Sequence, residues 1–174
     1  ARVFEAGVSV VNHNCRDPEN LVYLGTTSRG TRVQINRLYY QADLKILTGL
    51  VESHFMAGAS GGRKAICPGL VGEESTQIFH GAAFLASPHA RDLVLEGNPC
   101  HEEALEVAKM AGADFIINVT VDHEFAITGV YDGDLEQAHE AAVERIKNTV
   151  SIPIEQEYDL VISHAGFVGI NHYQ

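Results

Sequence analysis

"LKILTGLVESHFMAGASGGRKAICPG" (Leu44–Gly69) is the stretch on which the reading of the fold turns. Its first residues are apolar enough to form a strand buried in a sheet. The glycines that follow, at 58, 61, 62 and 69, rule out a helix interior and mark a loop. A strand running into a glycine-rich loop is where α/β proteins place their chemistry, because ligands gather at the carboxyl ends of strands. The loop opens on a histidine, His54, and contains a lysine, Lys64.

Working outward, "GVSVVNHN" (7–14) reads as a short buried strand ending in a polar turn that holds His13. "DPENLVYLGTTSRGTRVQIN" (17–36) reads as a hairpin broken at Gly25 and Gly30, and "RLYYQ" as a short helix leading into the strand. Downstream, Glu73–Leu85 has a helical pattern with acidic residues in its first turn, and His80 falls on it. "NPCHEEALEVAKMAG" (98–112) is the clearest helix, with Pro99 near its start and Gly112 as a C-cap. "ADFIINVTVDHEFAITGVYDGD" (113–134) predicts two strands joined at Asp122–Glu124, and "DLEQAHEAAVERIKNTV" (134–150) a second helix. Pro153 marks a boundary, and "YDLVISHAG" (158–166) predicts a buried strand.

Alternating helices and strands place the chain in the α/β class, with a mixed sheet flanked by helices. The expected division is residues 1–152 in one domain and 153–174 at the start of another. The first residues read as the middle of a domain and the last follow a strand and turn, so the chain is expected to be incomplete at both ends.

The 174 residues are 45% hydrophobic and 20% charged, enough for a globular core. A net charge of −11 argues against a nucleic-acid partner, which requires clustered Lys and Arg. No apolar run approaches the roughly 20 residues of a membrane helix. Three cysteines (Cys15, Cys67, Cys100) without a CxxC pair fit a reducing, cytoplasmic compartment better than a disulfide framework.

The loop's glycines let the backbone approach a ligand, and its N–H groups can cradle an anion. A phosphate loop of the GxxxxGK[ST] kind needs Ser or Thr after the lysine, and Ala65 stands there, so conventional nucleotide hydrolysis is disfavoured. His54 suits either a general acid/base or a hydrogen-bonded loop histidine, and His80 either a metal ligand or a helix-surface residue. No HExxH, HxH or CxxC spacing marks a conventional zinc site. Cys67 has no base placed beside it by the sequence. The residues alone leave these alternatives open.

Four segments taken in order resemble the nickel-dependent lactate racemase family: "NHNCRDPENLVYLGTTSRGT", "ADLKILTGLVESHFMAGASGGRKAICPG", "LEGNPCHEEALEVAKMAGADFIINV" and "YDLVISHAG" followed by "NHYQ". The resemblance covers essentially the whole chain. It implies that residues 1–152 are the second half of the N-terminal, cofactor-bearing domain and 153–174 the start of the C-terminal domain of a two-domain enzyme that racemises or epimerises a 2-hydroxy acid, lactate or a relative, by reversible hydride transfer. In that family the cofactor is a nickel-pincer nucleotide, attached covalently to a lysine that falls on Lys64. The acid/base histidine of a PHxxAG-type motif falls on His54, although Ser53 stands where proline is usual. The nickel-ligating histidine falls on His80. A Tyr-Gln pair lining the family's active site falls on Tyr173 and Gln174. A second catalytic histidine and a cofactor-binding arginine belong to upstream motifs that this sequence lacks.

From the residues themselves, Arg63 and the loop N–H groups of Ser60, Gly61 and Gly62 are expected to bind the cofactor phosphate. The expected partners are a small 2-hydroxy acid and the enzymes that assemble the cofactor. Ser53, Met56 and Ala59 depart from the family's usual residues and point to a changed substrate pocket. The competing expectation is a non-catalytic nucleotide- or anion-binding module that uses the glycine-rich loop without a covalent bond.

Overall fold

A computed structural model describes residues 5–162. The architecture is α/β, with a mixed sheet that carries the loop on one edge strand. Strand β1 (Leu21–Thr26) and strand β2 (Arg32–Asn36) form the expected antiparallel hairpin, from Leu21 opposite Asn36 to Thr26 opposite Arg32. Its turn is closed by Thr27 and Thr31, and Gly30 takes φ +89° there, a conformation that favours glycine. Asn36 ends the hairpin and caps helix α1 (Arg37–Gln41) by accepting the Tyr39 N–H at 3.0 Å.

The sheet that positions the loop is built from β3 (Ile46–Leu50), β6 (Phe115–Val121) and β7 (Ile127–Gly133). β3 and β6 run parallel, with Ile46 opposite Phe115 and Leu50 opposite Val119, while β7 returns antiparallel along β6. Strand alternation turns Leu47, Ile116, Asn118 and Thr120 toward the buried face, and leaves Ile46, Phe115, Ile117 and Val130 partly exposed on the other. The Asp122 carboxylate shapes the β6–β7 turn by accepting the Glu124 and Ala126 N–H groups.

Two short strands, β4 (Ser53–His54) and β5 (Gly58–Ala59), follow β3 as a small hairpin, and a 3-10 turn spans Gly62–Ala65. Helices α2 (Glu73–Phe79) and α3 (Ala82–Leu85) come next. Helix α4 (Pro99–Ala111) begins where Asn98 accepts the Cys100 N–H at 3.0 Å and ends at Gly112, whose φ is +78°. Its buried stripe includes Cys100, Ala104, Val107 and Ala108. Helix α5 (Gln137–Val150) packs on β4, β6 and β7 through Ala142, Val143 and Ile146.

Three expectations are corrected. Residues 7–14 form no strand, and Val8, Val10 and Val11 are each more than half exposed. The apolar alternation there has no neighbouring strand to pair with. His13 anchors the segment instead, its Nε2–H donating to the Val71 carbonyl at 2.9 Å and its Nδ1 accepting from Asn36 at 3.0 Å. The helix expected over Glu73–Leu85 is interrupted at His80–Gly81, where the Gly81 backbone turns extended and its N–H folds back onto the Ile78 carbonyl. Residues 158–162 form no strand, and Leu160, Val161 and Ile162 are exposed; the rest of "YDLVISHAG" lies outside the described residues.

Candidate functional site

His54 ends β4, one residue into the hairpin that crosses to Gly58. Its Nδ1 accepts the backbone N–H groups of Met56 (3.3 Å) and Ala57 (3.2 Å), so the ring closes its own turn. With Nδ1 occupied as an acceptor, the proton of the neutral ring sits on Nε2. The ring stacks on Phe55 with centroids 5.0 Å apart. Burial, followed by the nearby charges of Lys64, Arg63 and His80, holds the His54 pKa down to about 4. These residues, which the sequence spreads over 27 positions, therefore share one electrostatic neighbourhood.

Lys64 sits on the 3-10 turn, which Gly61 (φ +74°) and Gly62 (φ +50°) introduce. A Cβ at Gly61 would stand 2.4 Å from Asn118 Oδ1 and 2.7 Å from Val51 Cγ2, and one at Gly62 would meet the His139 ring at 2.8 Å. The two glycines are thus required by close approach as well as by backbone angle. Asn118 Oδ1 accepts the Gly62 N–H at 2.8 Å. The Ser60 hydroxyl donates to the Leu50 carbonyl and accepts the Glu52 N–H, both at 2.8 Å, tying the loop to the end of β3. The Lys64 N–H is taken by the Gly61 carbonyl at 3.1 Å.

The Lys64 side chain is half-buried, and among the described residues no hydrogen bond or ion pair engages its amine. Burial, then the adjoining Arg63 cation, lowers its pKa to about 8, with the Cys100 and Cys67 sulfurs opposing more weakly. The thiols themselves are pushed up by burial, Cys67 to about 12 and Cys100 to about 11. They are protonated at neutral pH.

Arg63 turns the other way. It is 1% exposed, and its Nη2 donates to the Ala57 carbonyl at 2.6 Å. Its Nη1 lies 2.8 Å from His139 Nε2 and 3.4 Å from the Gly61 carbonyl. The same His139 Nε2 lies 2.9 Å from the Ser60 carbonyl, so one nitrogen faces both a guanidinium, which donates, and a carbonyl, which accepts, and the ring's tautomer decides which of the two it bonds. This geometry corrects the expectation of a phosphate contact: Arg63 faces inward and holds the loop, and the Gly62 and Lys64 N–H groups are likewise spent on Asn118 and Gly61.

His80 forms the C-cap of α2, the very point at which the helix breaks. Its Nδ1 lies 2.9 Å from the Thr76 carbonyl and donates to it, which leaves the lone pair on Nε2. The ring meets Phe79 edge-on at 5.0 Å. An imidazole oriented by a backbone carbonyl through one nitrogen is the usual form of a metal-ligating histidine. Among the described residues no three His, Cys, Asp or Glu side chains come together to hold a metal ion, so a metal on His80 needs donors from elsewhere. His80 and the unpaired Lys64 amine fit a metal-bearing group that brings its own donors and needs one covalent anchor.

Tyr173 and Gln174 lie outside the described residues. Sequence reasoning missed Asn118 and His139, which fix the loop from β6 and α5. A concavity of about 740 Å³ does not coincide with the loop: it lies between α4, α5 and residues 93–96, and His101, Glu140 and Glu144 line it.

These features define an α/β domain that presents, on a glycine turn near His54, a half-buried lysine whose amine has no partner among the described residues. Residues 2–92 match the lactate racemase N-terminal domain family. The chain belongs to that family. It is 35% identical over 157 residues to lactate racemase from Thermoanaerobacterium thermosaccharolyticum and 36% identical over 157 residues to that from Lactiplantibacillus plantarum. Each comparison covers 90% of this chain and 37% of the relative, so the chain spans little more than a third of these proteins. The structure superposes on the lactate racemase apoprotein from T. thermosaccharolyticum with a TM-score of 0.81 and 36% identity, covering 83% of this chain and 35% of the other. A Thermotoga maritima protein shares the fold alone, with a TM-score of 0.68 and 23% identity over 84% of this chain and 42% of that one.

Proposed function

We propose that this chain is the cofactor-bearing part of a racemase or epimerase acting on a 2-hydroxy acid, lactate or a relative. The observation that carries the reading is Lys64: a half-buried amine without a partner among the described residues, with its pKa lowered, near the His54 imidazole. Burying an amine without a carboxylate is unfavourable, and a lysine destined for acylation accounts for it, because the amide formed is neutral. Residues 153–174 then open the next domain, and the setting is a reducing cytoplasm. No helix among the described residues is long and apolar enough to cross a membrane.

A lysine-tethered nickel-pincer nucleotide supplies the hydride acceptor that no side chain provides. Lys64 anchors it, and His80 offers its Nε2 lone pair to the nickel. The Gly61–Gly62 turn, held by Asn118 and Ser60, orients the anchor. His54 handles the substrate's hydroxyl proton. As the ring is held here it is neutral and its Nε2–H can hydrogen-bond a carbonyl oxygen, while transferring a proton to that oxygen requires the imidazolium, which returns to the neutral ring. Taking the proton from a hydroxyl requires Nδ1 to be released by Met56 and Ala57, so a shift of the 54–57 turn accompanies the change of direction.

The anion-cradle alternative is weakened because the Ser60, Gly62 and Lys64 N–H groups are already occupied within the chain and Arg63 faces inward. The deciding experiment is peptide mass mapping of Lys64 with nickel quantified on the same sample, in protein co-produced with the cofactor-assembly enzymes. A nucleotide-sized adduct on Lys64, with nickel lost in His80→Ala and the adduct absent in Lys64→Arg, is expected. An unmodified Lys64 in folded, co-produced protein overturns the reading.

A further inference from the structure

Asn98 caps helix α4 with its Oδ1, which accepts the Cys100 N–H at 3.0 Å and the His101 N–H at 3.4 Å. Serine, threonine or aspartate also caps a helix through an oxygen. What asparagine adds is a donor, and here it is used: Nδ2 donates to the Met56 and Val94 carbonyls, each at 2.9 Å. The residue is fully buried. Met56 belongs to the turn that His54 closes. The Met56 carbonyl and the Ala57 N–H share one planar trans peptide and so point in opposite directions. One side of that peptide is bonded to Asn98 and the other meets His54 Nδ1 at 3.2 Å. The next two carbonyls are held as well, Ala57 by Arg63 Nη2 at 2.6 Å and Gly58 by the Leu93 N–H at 2.8 Å. Leu93 has φ +60°, a conformation that a bulky side chain rarely adopts, and a Cβ at Gly58 would stand 2.3 Å from the Val94 carbonyl. The segment before α4 therefore lies directly against the His54 turn.

We propose that Asn98 is a positioning residue for His54: by holding the Met56 carbonyl it aims the Ala57 N–H at the Nδ1 lone pair and keeps that nitrogen free of a proton. The proposal rests on the reading of His54 as the acid/base. Exchange of a proton through Nε2 needs a proton on Nδ1 in both directions. The base is the neutral ring with its lone pair on Nε2, and the acid is the imidazolium. Either form would set an N–H on Nδ1 against the Met56 and Ala57 N–H groups. The Asn98 bond opposes both, and the peptide it holds is the one that must turn before His54 exchanges a proton. The charged and titratable groups that face the ring are Lys64 and Arg63 on the 3-10 turn and His80 at the end of α2. A neutral substitution at Asn98 alters none of these.

The test is NMR of the His54 ring nitrogens as a function of pH, in full-length protein carrying isotopically labelled histidine, with His54→Gln to assign the signals. Asn98→Ser keeps a neutral cap and removes the amide donor. In the unsubstituted protein Nδ1 of the neutral ring should carry no proton, and the midpoint should lie at about 4. In Asn98→Ser part of the neutral ring should carry its proton on Nδ1, and the midpoint should rise by about one unit. His139, on α5, should keep its own midpoint and serves as the reference. A proton on Nδ1 in the unsubstituted protein overturns the proposal. So does an unchanged His54 in folded Asn98→Ser, or a shift that His139 shares equally, which would mean lost packing rather than lost aim. Should Asn98→Ser fail to fold, Asn98→Thr takes its place under the same criteria. The second readout is the pH profile of lactate racemisation by the same proteins, co-produced with the cofactor-assembly enzymes. The acid limb of kcat/KM reports the essential group of the free enzyme and should move with the His54 midpoint. A moved midpoint with an unmoved limb would sink the acid/base reading of His54 and spare the role of Asn98.

Discussion

Asn118 holds Gly62 from the middle of the sheet: its Oδ1 accepts the Gly62 N–H at 2.8 Å, across 56 residues of chain. The bond is buried, and the same oxygen fills the space a side chain at Gly61 would need. One carboxamide on β6 therefore decides both the path and the composition of the lysine loop. Replacing it by alanine leaves the Gly62 N–H without an acceptor. Asn118→Ala should destabilise by about 1–3 kcal/mol in urea denaturation and speed amide exchange at Gly62 and Lys64. Stability within a few tenths of a kcal/mol of the parent would show that the loop is held by other means.

Gly61→Ala and Gly112→Ala make a matched pair. Both positions have positive φ, +74° and +78°, but a Cβ at Gly112 meets nothing within 4 Å. Gly112→Ala should lose about 1 kcal/mol from backbone strain alone, whereas Gly61→Ala adds the collision with Asn118 and Val51 and should lose at least about twice that. Equal losses in the two variants, compared by thermal and urea unfolding, would deny the close approach.

Acid should destabilise this protein through histidines buried neutral, His54 on its loop and, side by side, His101 and His139. The His101 and His139 rings lie 6.4 Å apart in the space between α4 and α5. Burial, then the Arg63 charge, holds their pKa values at about 4 and about 3, against 6.5 for the free side chain. Below pH 6.5 the unfolded chain takes up protons that the folded one refuses. The stability these rings allow is thus fully present above pH 6.5 and is lost as pH falls toward the folded values, by up to about 1.4 kcal/mol per pH unit for each ring. His139→Gln should flatten the pH dependence of the urea midpoint between pH 4.5 and 6.5 by about one proton. An unaltered slope would mean that His139 is not buried neutral.

The cysteines should differ sharply toward a thiol reagent. Cys67 and Cys100 are buried with their thiols pushed up to about 12 and about 11, while Cys15 is half-exposed in the polar segment before β1. Native protein should label quickly at Cys15 alone, the other two following only at the rate of unfolding. Fast labelling of Cys100 would contradict the packing of the first turn of α4.

Much of this was legible before any coordinate. Asn98, Pro99 and Gly112 announce α4 because capping is local chemistry, and the β6–β7 turn follows from Asp122 for the same reason. The glycine turn and Lys64 stood out because they depart from every periodic pattern. The valines of residues 8–11 misled, since alternation shows which face a strand would bury but not whether a partner exists. The break at His80 was hidden because Gly81 inside an apolar pattern is compatible with a continuous helix. Arg63's inward turn was illegible: its partner His139 is 76 residues away. A signal did exist, however, in that His139 shares a helical face with Ala142, Val143 and Ile146, and Asn118 stands between Ile116 and Thr120 on the inner face of β6. A polar residue on a core-facing register invites the question of what it holds.

The interlock of Gly61 with Asn118 and of Gly62 with His139 has a consequence for descent. The loop cannot drift alone: a side chain at either glycine must be preceded by a smaller residue on a strand or helix more than fifty positions distant, and that smaller residue first forfeits the bond that holds the loop. Each path out crosses a weakened intermediate. Among descendants of this sequence the four positions should therefore change together or not at all, and a lineage that keeps the lysine while losing the asparagine should carry a new acceptor in its place.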